Sequence, residues 1–242
     1  METVIEIKGL KKSFGEKEIL KNVNLTLNKG ENMVVLGKSG EGKSVTIKCV
    51  AGLLSQDEGS IKVFGREVNE LNDEELKDLR TRMGFLFQSA ALYDSMTVRE
   101  NLAFPLTRVL HMKDENEIQG RIEEVLDGVG LRDTVDKMPS DLSGGMRKRI
   151  GLARTLIVKP EIVLYDEPTT GLDPITSREI SELILEMQKK YKTSSFIITH
   201  DMSCARITAD RMAILDQGES VAQGSFEELE HSSDPHIQSF FK

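Results

Sequence analysis

The eight residues Gly37-Lys38-Ser39-Gly40-Glu41-Gly42-Lys43-Ser44 constrain this chain more than any other segment. They fit G-x-x-x-x-G-K-[ST], follow the apolar run Met33 to Leu36, and lead into a helix-like stretch, Lys43 to Leu54. Glycines at 37, 40 and 42 let the backbone wrap closely, so that its N–H groups and the helix N-terminus point at phosphate oxygens. In that geometry Lys43 reaches the β- and γ-phosphates of a nucleotide and the Ser44 hydroxyl ligates Mg²⁺. The spacing predicts nucleotide binding by a strand–loop–helix unit.

The rest of the chain reads as the surroundings of such a unit. Short apolar or β-branched runs recur at Val4 to Ile7, Ile61 to Phe64, Met83 to Phe87, Ile162 to Tyr165, Phe196 to Thr199 and Met212 to Leu215. Met33 to Leu36 and Ile162 to Tyr165 are apolar throughout, as strands buried on both faces require. Helical stretches alternate with these runs: Asp73 to Arg82, Glu115 to Val129, Met146 to Val158 and Thr176 to Tyr191. That alternation predicts an α/β fold with a parallel sheet. The N-terminal strands, with a turn at Phe64-Gly65-Arg66, read as an antiparallel β flap, and Asp216-Gln217-Gly218-Glu219 as a hairpin turn. From Ser89 to Lys159 strand signals vanish, which reads as an inserted α-helical subdomain. The acidic run Asn72-Asp73-Glu74-Glu75 reads as a solvated helix start.

Composition excludes several function classes. The 242 residues carry 32 Lys plus Arg against 40 Asp plus Glu, a net charge of -8, which argues against a general nucleic-acid binder. The two cysteines, Cys49 and Cys204, form no metal cage or disulfide framework and read as buried small residues. Neither a secretory signal nor an apolar run near the ~20 residues of a membrane span is expected, so the reading is a cytoplasmic protein.

Two further segments carry chemistry. Ile162-Val163-Leu164-Tyr165 ends in Asp166-Glu167, carboxylates suited to positioning Mg²⁺ (Asp166) and polarising an attacking water (Glu167). Leu142-Ser143-Gly144-Gly145-Met146 opens a basic helix, Arg147 to Arg154, a second site where free N–H groups attract phosphate. With one loop already cradling a nucleotide, this second helix start makes most sense if it completes the site of another subunit in a head-to-tail pair.

The order of these motifs resembles the ATPase subunit of an ATP-binding cassette (ABC) transporter, across essentially the whole chain. The resemblance implies a P-loop NTPase (RecA-like) core with an antiparallel β flap and an inserted α-helical subdomain. It places the flap and first part of the core at residues 1–88, the helical subdomain with the signature at 89–158, the second part of the core at 159–230 and a C-terminal tail at 231–242. Ser143, Gly144, Gly145 and Met146 are similar to the family signature, with Met146 where the family usually has Gln, and act in trans. Phe14 matches the aromatic that stacks on adenine, and Gly37 through Ser44 bind the nucleotide. Gln88 matches the glutamine that senses Mg²⁺ and water, Asp173 in Gly171-Leu172-Asp173 the loop across the dimer, and His200 the histidine at the γ-phosphate. Glu167, His200, Gln88 and Lys43 are then the catalytic set, and Ser44, Gln88 and Asp166 the Mg²⁺ set.

The cofactors so implied are ATP and Mg²⁺. The implied partners are a second copy of the chain and integral-membrane permease subunits that hold it at the inner face of the cell membrane. Their contact is expected near Gln88 and Ser89 to Ser95. Phe87 to Val98, Met138 to Met146, Asp173 to Thr176 and the tail Asp234 to Phe241 resemble the Mla/Mce-type branch, which moves phospholipids between bacterial membranes. That branch adds an Mce-domain lipid-binding protein and a small cytoplasmic regulatory subunit as partners. The alternatives are the ATPase of a polar-solute importer, for amino acids for example, and a soluble cassette ATPase acting on ribosomes or nucleic acid. In the tail, Ile237, Phe240 and Phe241 form a small apolar face that either docks on a partner or packs on its own domain.

Overall fold

The computed structural model describes residues 2–241; positions 1 and 242, the ends of the outer segments above, lie outside it. Two long antiparallel strands open the chain, β1 (Thr3–Phe14) and β2 (Lys17–Asn28), turning through Gly15 at φ +59°. Next, β3 (Asn32–Leu36) is buried along its length and feeds the glycine-rich loop into α1 (Lys43–Val50). The chain returns through β4 (Glu58–Val63), β5 (Arg66–Glu67), α2 (Asp73–Thr81) and β6 (Met83–Leu86). Three longer helices follow, α3 (Val98–Arg108), α4 (Glu115–Gly128) and α5 (Gly144–Leu156). Strands and helices then alternate: β7 (Ile162–Asp166), α6 (Pro174–Tyr191), β8 (Ser194–Thr199), α7 (Met202–Thr208) and β9 (Arg211–Asp216). After β10 (Glu219–Gly224) the chain ends in α8 (Phe226–Glu230) and α9 (Pro235–Gln238).

The strands join in one sheet of ten, ordered β5-β4-β1-β2-β10-β9-β3-β8-β7-β6. Strands β9, β3, β8, β7 and β6 are parallel, while β5, β4, β1 and β2 pair antiparallel, which is the core and flap expected. β10 joins the halves, antiparallel to β9 and meeting β2 at Glu219 and Asn22. Its hairpin turns through Gln217 at φ +47° and Gly218 at φ +82°, both left-handed as a tight two-residue β-turn demands.

Alternation along the parallel strands builds two cores, one on each face of the sheet. Val34, Leu36, Val163, Tyr165 and Ile197 face α3 to α6, and Met33, Val35, Leu164, Phe196 and Ile198 face α1 and the flap. Each such buried aliphatic or aromatic side chain contributes about 1.5–3 kcal/mol relative to exposure, which is why the middle of each strand is apolar.

Several boundaries differ from the pattern. β2 was hidden because its buried Leu20, Val23, Leu25 and Leu27 are interleaved with Lys21, Asn24 and Thr26. α3 carries Pro105 inside it, and α7 and α8 are too short to show a period. α1 ends at Val50 instead of Leu54, because Gly52 turns left-handed at φ +63° and the N–H of Leu53 returns to the Lys48 carbonyl. The acidic start of α2 is a capping box: the Asn72 side chain accepts from the N–H groups of Glu74 and Glu75, and Glu75 reaches back to Asn72. In this single chain the tail packs on its own domain. Ile237 is buried, the Phe241 ring meets Phe226 edge-on at 5.4 Å, and His236 Nε2 is 3.1 Å from Asp216 Oδ2.

Candidate functional site

The glycine-rich loop is built by its neighbours as much as by its own sequence. The Gly37 N–H donates to the Thr199 carbonyl on β8 at 3.3 Å, and a Cβ there would stand 2.6 Å from the Leu215 carbonyl oxygen. Gly40 and Gly42 take φ of +89° and +94°, open to glycine and costly for other residues. Gly42 is the N-cap of α1, so Lys43 is its first residue. The Lys43 side chain is buried and folds back over the loop, where Nζ donates to the carbonyls of Gly37 at 2.7 Å and Lys38 at 2.9 Å. On the loop's outer side the Glu41 carboxylate accepts from the Gln217 N–H, and Lys38 Nζ lies 5.6 Å from the centre of the Phe240 ring.

The end of β7 faces this loop. Asp166 Oδ1 accepts from the Ser44 hydroxyl at 3.0 Å, and burial pushes the Asp166 carboxyl above its ordinary range. Glu167 sits at φ +51° immediately before Pro168, a conformation disfavoured both for a side-chain-bearing residue and for a residue preceding proline. Its N–H donates to the Ile198 carbonyl at 2.9 Å, and its carboxylate bridges two groups. Oε1 is 3.3 Å from Lys43 Nζ, and Oε2 is 2.8 Å from His200 Nδ1. Oε2 also accepts from the Thr170 hydroxyl at 3.2 Å and the His200 N–H at 3.3 Å. The carboxylate is held between a buried ammonium and an imidazole that is half exposed to the cleft.

Phe14, Ser39, Gly40, Gly42, Lys43, Ser44, Gln88, Glu167 and His200 line one cleft of about 470 Å³. Phe14 stands at its rim, half exposed, with Lys12 Nζ 5.5 Å from its ring centre. The signature residues stand elsewhere and do not line the cleft. Ser143 caps α5, its hydroxyl accepting from the Met146 N–H at 3.2 Å, and Ser143 and Gly144 are exposed. Met146 packs its thioether partly against the helical core. Asp173 caps α6, accepting from the N–H groups of Ile175 and Thr176, and its hydrogen bonds with Thr176 lower its pKa below the ordinary carboxylate range. A Cβ on Gly145 would meet the Thr176 methyl at 2.7 Å, so the start of α5 rests closely on the start of α6.

Four side chains at the site were not read from the sequence: Thr170, Ile19, Val45 and Lys148. Thr170 and Ile19 are unremarkable residue types brought in by the fold. Lys148 does leave a trace, since it shares a helix face with Leu152 and Thr155, both buried. The Mg²⁺-binding potential rests on the Ser44 hydroxyl and the single buried carboxylate of Asp166. No group of three or more His, Cys, Asp or Glu among the described residues would hold a metal without further ligands. One carboxylate and one hydroxyl fit an ion whose remaining ligands are water and phosphate oxygens.

Comparison with known proteins bears directly on this arrangement. The family model for ABC transporters matches residues 20–170. The "Probable ribonucleotide transport ATP-binding protein mkl" of Mycobacterium leprae is 42% identical over 240 residues, which is 99% of this chain and 69% of that protein. "Protein TRIGALACTOSYLDIACYLGLYCEROL 3, chloroplastic" of Arabidopsis thaliana is 41% identical, over 99% of this chain and 73% of that one. Among solved structures, the dimeric ATP-binding cassette MJ0796 bound to ADP and phosphate superposes with a TM-score of 0.81 at 32% identity. That match covers 91% of this chain and 98% of the other. The cleft between the glycine-rich loop and Glu167 thus lies on a fold shared with ATP-hydrolysing cassettes, and this chain belongs to the ABC transporter family as one of its ATPases.

Proposed function

We propose that two copies of this chain close head to tail over two ATP molecules and so drive a membrane permease. The observation that carries this is the Glu167 carboxylate, fixed between Lys43 and His200 in the nucleotide cleft, while Ser143 lies outside the cleft of its own chain. A site with its water-polarising base in place and its second phosphate-facing helix turned away needs a second copy to complete it.

In this reading Phe14 stacks on adenine and the N–H groups of Gly37 to Ser44 hold the phosphates. Lys43 stabilises charge on the transferring phosphoryl group. Glu167 accepts a hydrogen bond from the attacking water and draws its proton, with His200 orienting the carboxylate and meeting the γ-phosphate. Ser44, Gln88 and Asp166 would hold Mg²⁺, which neutralises phosphate charge when bound. The N-terminus of the partner's α5, with Ser143, Gly144, Gly145 and Met146, completes the phosphate cage, and Asp173 faces the partner across the dimer.

We place the core at residues 1–88 and 159–230, the helical subdomain at 89–158 and the tail at 231–242. A groove of about 480 Å³ between core and subdomain suits a permease helix; its walls include Phe85, Phe87, Tyr93, Phe104 and Val109, with Arg154 at its side. Phe85 and Phe87 stack at 4.1 Å, giving the groove an apolar aromatic floor beside Gln88. No helix among the described residues is long and apolar enough to cross a membrane, so attachment to the inner face of the membrane would come through that groove.

For the cargo we propose phospholipid or a related lipid. The support is the sequence likeness of residues 87–98, 138–146, 173–176 and 234–241 to the lipid-moving branch, and the lipid in the name of the Arabidopsis relative. An Mce-domain protein and a small regulatory subunit would then be partners. The name of the mycobacterial relative favours a polar cargo instead. Purification of the tagged chain from native membranes in mild detergent, with mass spectrometry of proteins and lipids, decides between them. A permease with an Mce-domain protein and bound phospholipid supports the lipid reading. A permease with a soluble solute-binding protein overturns it.

A further inference from the structure

Lys148 is charged and almost wholly buried, 6% exposed, on the helix that the signature residues open. Its Nζ donates to the Gln88 carbonyl at 2.5 Å and lies 3.4 Å from the Glu167 carbonyl. Those two acceptors belong to different pieces of the site. Gln88 begins the segment that crosses from β6 into the helical subdomain, and Glu167 is the strained residue that ends β7. The Glu167 oxygen is buried and also accepts from the Thr170 N–H at 3.3 Å, while the Gln88 oxygen is partly buried with Lys148 as its donor, and leaving it unpaired costs about 1–3 kcal/mol.

We infer that Lys148 is a positioning residue for ATP hydrolysis, one ammonium that ties α5, the Gln88 segment and the Glu167 backbone into a single unit. The left-handed φ of +51° at Glu167, before Pro168, is not held by the residue's own preferences, and such a conformation persists only where the surroundings over-determine it. On the amide side it is held by the N–H bond to Ile198 at 2.9 Å; on the carbonyl side the Thr170 N–H at 3.3 Å and the Lys148 ammonium at 3.4 Å both donate, and of these Lys148 alone also reaches Gln88. A rotation of that peptide would swing the carboxylate away from Lys43 and His200. The same ammonium makes its shorter bond to Gln88, so a movement of the signature helix is transmitted to both groups at once. Lys148 does not line the nucleotide cleft, and its effect on chemistry runs through Glu167 and Gln88.

This inference rests on the reading of Glu167 as the water-polarising base, and the two fail separately: that reading falls if Glu167→Gln still turns over, whatever Lys148 does. The test is steady-state hydrolysis by the full chain with Mg²⁺ and varied ATP, for wild type, Lys148→Met and Lys148→Gln. Methionine fills the space without a donor. Glutamine keeps an N–H donor one bond shorter than the ammonium. The expected result is a fall in kcat of about tenfold or more for Lys148→Met with KM for ATP within about twofold, and recovery to within about threefold for Lys148→Gln. Should Lys148→Met not fold, Lys148→Ala serves as the donor-free variant, its freed space open to water. A donor-free variant whose kcat stays within about fivefold of wild type overturns the inference, as does a loss carried by KM or a Lys148→Gln no faster than the donor-free variant.

Discussion

The Glu167 carboxylate and the His200 imidazole act as one group: Oε2 lies 2.8 Å from Nδ1 and 3.3 Å from the His200 backbone N–H. The histidine therefore meets the carboxylate through both its ring and its backbone, which fixes the direction in which the other oxygen faces. His200 itself contributes little to packing, since its side chain is 54% exposed. Replacing it with alanine should lower kcat by about 10²-fold, the range for loss of a positioned acid–base partner. The thermal midpoint should stay within a few degrees of wild type. Steady-state hydrolysis and a thermal melt on the same preparation check both halves.

The glycines of this chain separate by mechanism. Gly37→Ala drives a Cβ to 2.6 Å from a backbone oxygen on β9, which cannot swing aside, and should cost about 1–3 kcal/mol with loss of ATP affinity. Gly40→Ala meets nothing within 4 Å and pays only for its φ of +89°, roughly 1 kcal/mol. Gly120→Ala is also free of contacts, lies inside α4 with no positive φ, and should stabilise by about 0.5–1 kcal/mol. Urea unfolding of the three variants gives the order directly; a Gly120→Ala that destabilises, or a Gly37→Ala as mild as Gly40→Ala, would contradict it.

Burial pushes the Cys49 and Cys204 thiols up to about 11 from the ordinary 9.0. At pH 8 both should resist a thiol-specific chromogenic reagent in the native protein and react fully in denaturant. The sign for stability follows from the raised folded-state values. The unfolded thiols ionise first as pH rises, so stability is intact below about pH 9 and is lost progressively toward pH 11. Chemical denaturation between pH 8 and 11 should show that decline, and Cys49→Ala or Cys204→Ala should flatten its slope.

Much of this site was legible because the chemistry sits at the ends of buried strands with apolar runs. Met33 to Leu36, Ile162 to Tyr165 and Phe196 to Thr199 are buried on both faces, and each delivers its polar residues (the glycine-rich loop, Asp166-Glu167, His200) to the same edge of the sheet. Parallel neighbours in register do this automatically, as Leu36 pairs with Thr199 and Asp166 with Ile198. What escaped reading was partly local pattern without an apolar run or clean period and partly contacts far apart in sequence. β2 alternates polar and apolar residues and so lacks an apolar run, and α3 contains a proline that breaks the expected pattern. Thr170 meets Glu167 across a turn of three residues whose residue types carry no signal of their own, and Lys148, 19 residues away, is set against Glu167 by the fold. The signature residues were legible as a helix start, yet their exposure away from the cleft is a property of three dimensions alone.

Glu167 carries the proposed hydrolysis. In the proposed reading its carboxylate polarises water, and glutamine keeps its shape and an oxygen for Lys43 while removing its basicity. ATP affinity and steady-state hydrolysis should be measured for Glu167→Gln against wild type, with Mg²⁺ present. The expected result is ATP binding within about threefold of wild type, ATP-dependent dimers stable on size exclusion, and hydrolysis slowed by about 10²-fold or more. Hydrolysis at the wild-type rate in Glu167→Gln would contradict the central claim.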